Sequence, residues 1–250
     1  MRILLVNPNM TTAMTDRMAH IARGVVPGGV EIVPLTAERG FPYIASRAEA
    51  QVGGAVAYEM IAAHADRADA AIIAAFGDPG ITGARELFDF PVVGMAQAAL
   101  MTSAMLGERF SIVTFSPVMR RWYVDSVREA GLESRFTGVR TPDGHVADLD
   151  AVQETMRAEL VAMCNRAVVE DGADVVVLGG APLAGLAREI QPDVAGVVVD
   201  PISAAAAQAV ALLTVIRPPA FTHRHNKPIA KSSNGLSPLL SRIFAQGDIA

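Results

Sequence analysis

Short apolar runs of β-branched character recur along this 250-residue chain. Each is followed by a loop rich in Gly, Pro or Asn, then by a longer stretch whose apolar residues return every three or four positions. Runs of the first kind fit strands buried on both faces, and stretches of the second kind fit helices that cover them. Their alternation predicts βαβ units and a parallel sheet. The strands fall at residues 3–6, 31–34, 70–74, 92–94, 111–114, 135–139, 175–178 and 197–199. Eight short strands favour two compact sheets over one wide one. The clearest helical window runs over 150–170, where Val152, Met156, Leu160, Met163, Ala167 and Val168 recur at helix spacing and predict one long amphipathic helix.

The two halves of the chain resemble each other. The stretch from Asp69 through Ile72 to Phe76 aligns with Asp174 through Val177 to Ala181, an offset of 105. Val92-Val93-Gly94-Met95 aligns with Val197-Val198-Val199-Asp200, again at 105, and Val6-Asn7-Pro8 sits against Val113-Thr114-Phe115 at 107. An internal duplication of about a hundred residues is the economical account. It predicts an α/β fold of two pseudo-symmetric lobes, each a short, mainly parallel sheet flanked by helices, with the site in the cleft between them. The first lobe takes 1–98 plus about 207–216, the second takes 99–206, and 217–250 forms a C-terminal arm.

In open α/β lobes the loops after the strand C-termini carry the ligand. Four such loops stand out: Asn7-Pro8-Asn9-Met10-Thr11-Thr12, Ala75-Phe76-Gly77-Asp78-Pro79-Gly80, Thr114-Phe115-Ser116-Pro117 and Gly179-Gly180-Ala181-Pro182-Leu183. Small residues there let main-chain N–H groups approach a guest, and the helix that follows adds its positive end, which suits a carboxylate or a carbonyl-bearing small molecule. Asn9 or Thr11 serves either as a ligand contact or as a helix cap. Asp78 serves as acid or base in the cleft, or as an N-cap with Pro79 at the first helical position. Thr114 and Ser116 are the second-half counterparts of the Asn7 loop. Tyr43 lies in Gly40-Phe41-Pro42-Tyr43-Ile44, a loop too apolar for a plain linker, and either closes over a ligand or packs in the core.

Composition narrows the function. The chain is 51% apolar and 19% charged, with a net charge of −5 and scattered Lys and Arg, so it lacks the basic stripe that a nucleic acid partner needs. The one long weakly polar stretch, 194–216, is broken by Asp200-Pro201 and reads as strand, turn and helix, so no membrane segment is expected, and a cytoplasmic protein is. The single cysteine, Cys164, excludes an internal disulfide framework and sits inside the helical window as a core residue. His20, His64 and His145 show no ligand spacing, and His223 with His225 in a Pro-rich tail is a weak pair, so no metal site is predicted.

Taken in order, these loops resemble the aspartate/glutamate/hydantoin racemase superfamily, most closely its hydantoin and allantoin racemase branch. The stretches that carry the resemblance are Val6-Asn7-Pro8-Asn9, Ala75-Phe76-Gly77-Asp78-Pro79-Gly80, Pro91-Val92-Val93-Gly94, Phe110-Ser111-Ile112-Val113-Thr114 and Asp171-Gly172-Ala173-Asp174 running into Leu178-Gly179-Gly180-Ala181. The resemblance covers about residues 1–215. It implies two pseudo-symmetric lobes, no cofactor, and a substrate that is a small carboxylate, ureide or hydantoin-type imide. It also implies two cysteines, one per lobe, that remove and return a proton at opposite faces of the substrate's α-carbon, and it places them at Ala75 and Gly180.

Neither position carries a thiol here, so the resemblance transfers the binding loops and not the two-thiol chemistry. Gln97 is a further departure, standing where relatives often carry Glu. The expected catalytic groups are therefore Asp78 and Tyr43, with Asn9, Thr11, Phe76, Gly77, Thr114, Ser116, Gly180 and Ala181 binding the substrate. Three functions follow: an isomerase with non-cysteine acid and base, a lyase, decarboxylase or tautomerase, and a small-ligand binder without catalysis. A homo-oligomer is expected, with the Lys- and Arg-bearing arm after Arg217 packed on a neighbouring subunit.

Overall fold

The computed structural model describes residues 1–144, 149, 151–216 and 227–246. Eight strands run β1 Arg2–Asn7, β2 Glu31–Thr36, β3 Ala70–Ile73, β4 Val92–Gly94, β5 Phe110–Thr114, β6 Phe136–Arg140, β7 Val175–Gly179 and β8 Val197–Val199. The helices between them are α1 Thr12–Arg23, α2 Arg47–Ala62, α3 Ile81–Leu87, α4 Met95–Leu106, α5 Arg120–Glu129, α6 Val152–Thr155, α7 Arg157–Val169, α8 Leu186–Ile190, α9 Pro201–Val215 and α10 Pro238–Phe244. Every expected strand is present, within a residue or two at its ends. The long helix expected over 150–170 is divided at Met156, whose ψ of 5° breaks the α-helical ladder between α6 and α7. Asp150, His145, His223 and His225 lie outside the described residues.

The strands form two four-stranded sheets of the same order, β2-β1-β3-β4 and β6-β5-β7-β8, with every pairing parallel. Strand register tests the internal repeat directly. Leu4 pairs with Ala71 and Ser111 with Val176, which keeps the offset at 105 for the third strand and at 107 for the first. The last strand differs from the sequence expectation by one residue: Ala71 pairs with Val92, whereas Val176 pairs with Val198, an offset of 106. Gly94 therefore corresponds to Asp200, a difference that matters at the site.

β1, β3, β5 and β7 are buried along their whole length or nearly so, as strands covered on both faces must be. One apolar core joins the two sheets through α1, α4, α5 and α9, while separate clusters lie under α2, α3 and α10 in the first half and under α6 to α8 in the second. α4 and α9 pack on each other and cross over: α4 also lies against β7 and β8, and α9 against β3 and β4. Gln208 fixes this crossing by donating to the Ala98 carbonyl (3.1 Å) and the Thr102 hydroxyl (2.9 Å). The described part of the C-terminal segment lies on its own chain, with α10 against α2, Leu240 buried and Lys227 paired with Asp89 at 2.6 Å. No helix among the described residues is long and apolar enough to cross a membrane.

Candidate active site

The loops after β3 and β7 meet between the sheets around a small cavity. Ala75 and Phe76 line it from the first half, Gly180 and Ala181 from the second, and Asn9, Tyr43, Ile44, Trp122 and Tyr123 close it. Its volume is about 10 Å³, enough for one water. A second opening of about 300 Å³ lies beyond Trp122 and reaches Gly77, Asp78, Tyr58 and the Arg47 to Asp125 ion pair. Trp122 is thus the wall between the closed cavity and an open groove.

The first-half side is a finished hydrogen-bond network. Asn7 donates to the Asn9 carbonyl oxygen Oδ1 (2.9 Å) and to Thr15 Oγ1 (2.9 Å), Thr36 donates to Thr15 Oγ1 (2.7 Å), and the Thr11 N–H donates to Asn9 Oδ1 (3.0 Å). Thr11 occupies the N-cap of α1 by position, but its hydroxyl makes no cap bond. It donates instead to the Pro42 carbonyl at 2.6 Å, and the Met10 N–H donates to the Phe41 carbonyl at 2.9 Å. These two bonds hold one end of the Tyr43 loop. Ser46 and Glu49 hold the other, the Ser46 hydroxyl accepting from the Glu49 N–H (3.2 Å) and the Glu49 carboxylate from the Ala45 N–H (2.6 Å). Tyr43 is therefore delivered into the cavity by a loop tied at both ends. Its phenol is raised well above the usual tyrosine range, chiefly by burial and then by Tyr123 and Glu49.

The second-half side is built differently. By register Thr114 is the counterpart of Asn7, and where α1 buries Met14 and Thr15, α5 buries Trp122 and Tyr123, so an aromatic pair stands where the first half has Met14 and part of its polar network. Thr114 Oγ1 is buried and has no partner other than the neighbouring Tyr123 phenol. Tyr123 is fully buried beside it, its ring 4.5 Å from that of Phe76 and its hydroxyl near Gly180. Burial holds the Tyr123 phenol protonated, far above the usual range, with the neighbouring Thr114 hydroxyl acting in the opposite sense. Gly179 and Gly180 make room for these rings. A Cβ on Gly179 would lie 2.8 Å from Tyr123, and one on Gly180, which has φ +122°, would lie 2.7 Å from Phe115. Gly77, at φ +102°, carries the Trp122 indole, which leaves no space for a Cβ there.

Asp78 lies outside the cavity. Its carboxylate accepts from the Ala96 and Gln97 N–H groups, both at 2.7 Å, and so caps α4 from a different strand's loop. The N-cap expected of it on the adjacent helix is made by Gly80 instead. Gly94 explains the arrangement: any side chain on it would collide with the Asp78 carboxylate. The equivalent Asp200 caps its own helix through the Ser203 N–H (2.8 Å) and also takes the Gly185 N–H (2.7 Å). Burial pushes Asp78 up to about 7 against the opposing pull of the two N–H groups and Arg85. Arg85 itself donates to the Val92 carbonyl and to the Gln97 side chain.

Of the sequence-based expectations, Tyr43, Asn9, Phe76, Gly180 and Ala181 line the cavity, together with Ala75. Gly77 and Asp78 face the adjoining groove, Thr114 lies behind Tyr123, and the hydroxyl of Thr11 is engaged elsewhere. Ser116 is buried at the start of a short turn rather than in the lining. Trp122 and Tyr123 were missed. The signal available for them was the internal repeat, which carries α1 onto α5 and its buried pair Met14 and Thr15 onto Trp122 and Tyr123. Cys164 is buried in α7 away from these loops, its thiol raised to about 12 by burial. Among the described residues no group of three or more His, Cys, Asp or Glu could hold a metal.

The sequence profile of the Asp/Glu/hydantoin racemase family matches residues 3–209. A hydantoin racemase of Paenarthrobacter aurescens is 34% identical over 237 residues, which is 92% of this chain and 99% of the relative. Among solved structures, an allantoin racemase from Klebsiella pneumoniae superposes with a TM-score of 0.87 at 29% identity, covering 96% of this chain and 98% of that one. The allantoin racemase of Pseudomonas fluorescens gives 0.84 at 30% identity, covering 94% and 100%.

Proposed function

Because the chain belongs to the Asp/Glu/hydantoin racemase family, we propose that it is an isomerase working at the α-carbon of a hydantoin-type or ureide substrate bound between Ala75-Phe76 and Gly180-Ala181. The observation that carries this reading is the chemistry of the cavity lining: Asn9, two phenols and apolar or small residues, with no Arg, Lys or His among the described residues. A free dicarboxylate in so enclosed a space would lack a counter-charge, whereas a neutral ring with carbonyl and N–H groups is matched by an amide and hydroxyls. Tyr43 supplies one hydroxyl. The chemistry runs without cofactor and without thiols, with the lining phenols as its proton donors.

A second reading within the same superfamily, a lyase, decarboxylase or tautomerase, is favoured by one feature. The phenols of the cavity stay protonated, the state from which a group can give a proton and cannot take one. The two readings separate in one experiment. Single enantiomers of 5-substituted hydantoins and of allantoin are incubated with the protein in deuterium oxide and followed by NMR and optical rotation, against enzyme-free controls. An isomerase incorporates deuterium at the α-carbon and erases the rotation without a new product. A lyase releases a new product, and a non-catalytic binder changes neither signal.

A further inference from the structure

We infer that Tyr123 is the residue that hands a proton to the substrate's α-carbon on the Gly180 side of the cavity, a role that rests on the α-carbon chemistry proposed above. The cavity lining offers two O–H acids, Tyr43 and Tyr123. Of these, Tyr43 rides on a loop and is partly exposed, whereas Tyr123 is fixed from three sides. Its ring meets Phe76 edge to face, its edge rests on Gly179, and its hydroxyl stands 3.5 Å from where a Cβ on Gly180 would be. The two consecutive glycines admit that approach: a side chain at either position would strike Tyr123 or Phe115. The first half has no equivalent phenol: there the matching loop is Ala74-Ala75, and the buried residue of α1 in the place of Tyr123 is Thr15, whose hydroxyl accepts from Asn7 and Thr36. A phenol needed only to fill the core would not require its hydroxyl end in the cavity. The hydroxyl of Thr114, buried with no other partner, faces the phenol.

In the proposed step the substrate's α-carbon carries the electron pair of an enolate. The Tyr123 O–H bond breaks, its proton joins that pair as a new C–H bond, and a phenolate is left. The balance closes through solvent: the substrate's α-proton leaves to hydroxide, giving water, as the enolate forms, and the phenolate then takes a proton from water, giving the hydroxide back. The Thr114 hydroxyl lies where it can donate to the phenolate while the charge lasts.

The test compares the wild-type chain with Tyr123→Phe and Tyr43→Phe in the deuterium-exchange assay, using whichever hydantoin or allantoin enantiomer the wild type turns over. Tyr123→Phe removes one oxygen and keeps the ring that packs on Phe76. It is expected to lower kcat by about 100-fold or more with KM within threefold, at an unchanged melting temperature. Replacing Tyr123 with a series of fluorinated tyrosines, phenols of graded acidity and nearly the same shape, is expected to change kcat in step with phenol acidity, which a packing role would not do. A Tyr123→Phe variant that keeps its rate within threefold, or a larger kcat loss in Tyr43→Phe, overturns the assignment while leaving the α-carbon reading intact. A wild type that exchanges no substrate overturns both.

Discussion

The rings of Phe76 and Tyr123 meet edge to face with their centroids 4.5 Å apart, joining the loop after β3 to helix α5 of the opposite half. Phe76 is 4% exposed and Tyr123 1%, so the contact is a desolvated tie between the halves at the cavity itself. Truncating Phe76 to Ala removes a buried ring and leaves a void against Tyr123. The expected cost is about 3–5 kcal/mol in urea unfolding. A loss below about 1 kcal/mol would show that the two rings do not couple the halves.

The positions that the family resemblance gives to thiols differ in what they tolerate. Ala75 already carries a Cβ, so Ala75→Cys adds one atom at a position 7% exposed and is expected to cost less than about 1.5 kcal/mol. Gly180 has φ +122° and Phe115 in the place of its side chain, so Gly180→Cys is expected to cost about 1–3 kcal/mol from the backbone alone, with the displacement of Phe115 added. Thermal melts of the two variants should separate clearly. Equal melting temperatures would mean that the loop of Gly180 relaxes freely.

Asp78 links stability to pH. Its folded-state value of about 7 lies above the ordinary 3.8, so between these limits the native chain holds a proton that the unfolded chain has released. The stabilisation is complete below about pH 4, falls as pH rises through 7, and then levels off. Its full size is on the order of 4 kcal/mol for a shift of about three units. Asp78→Asn abolishes the slope and, by giving the Ala96 and Gln97 N–H groups a single acceptor oxygen, is destabilising below pH 5. Chemical denaturation of both proteins from pH 4 to 8 checks the sign; a wild type whose relative stability rises over this range would contradict it.

Much of the fold was legible because it rests on local patterns. Buried parallel strands read as apolar runs, and the repeat at 105 pairs the two loops that line the cavity. The one-residue change of offset at β8 was not legible, because three consecutive valines at 197–199 align equally well in either register. Asp78 misled for a related reason. Its sequence context, followed by Pro79, suggests capping of the helix beside it, whereas its actual partner is the N-terminus of α4, brought near by the β3 to β4 pairing and open to it because residue 94 is glycine. Tyr123 was hidden by its setting in an amphipathic helix, where an aromatic residue reads as core. Its distinction is the orientation of one hydroxyl, which periodicity does not encode.

Trp122 is the only tryptophan in the chain and forms the wall between a cavity of about 10 Å³ and a groove of about 300 Å³. A hydantoin ring is many times larger than one water, so binding must displace part of that wall or lift the Tyr43 loop. The loop is tied at both ends by backbone bonds to Met10, Thr11 and Glu49 side-chain or main-chain groups, whereas the Trp122 indole rests on Gly77, where nothing larger than hydrogen intrudes. The indole is therefore the part expected to move toward the groove. Titrating the protein with a 5-substituted hydantoin should give a saturable change in tryptophan emission whose midpoint matches that from ligand NMR line broadening. Trp122→Phe should leave the NMR titration in place with a faster association rate, since the smaller ring sweeps less volume. Saturable NMR binding with a silent emission signal would assign the opening to the Tyr43 loop instead.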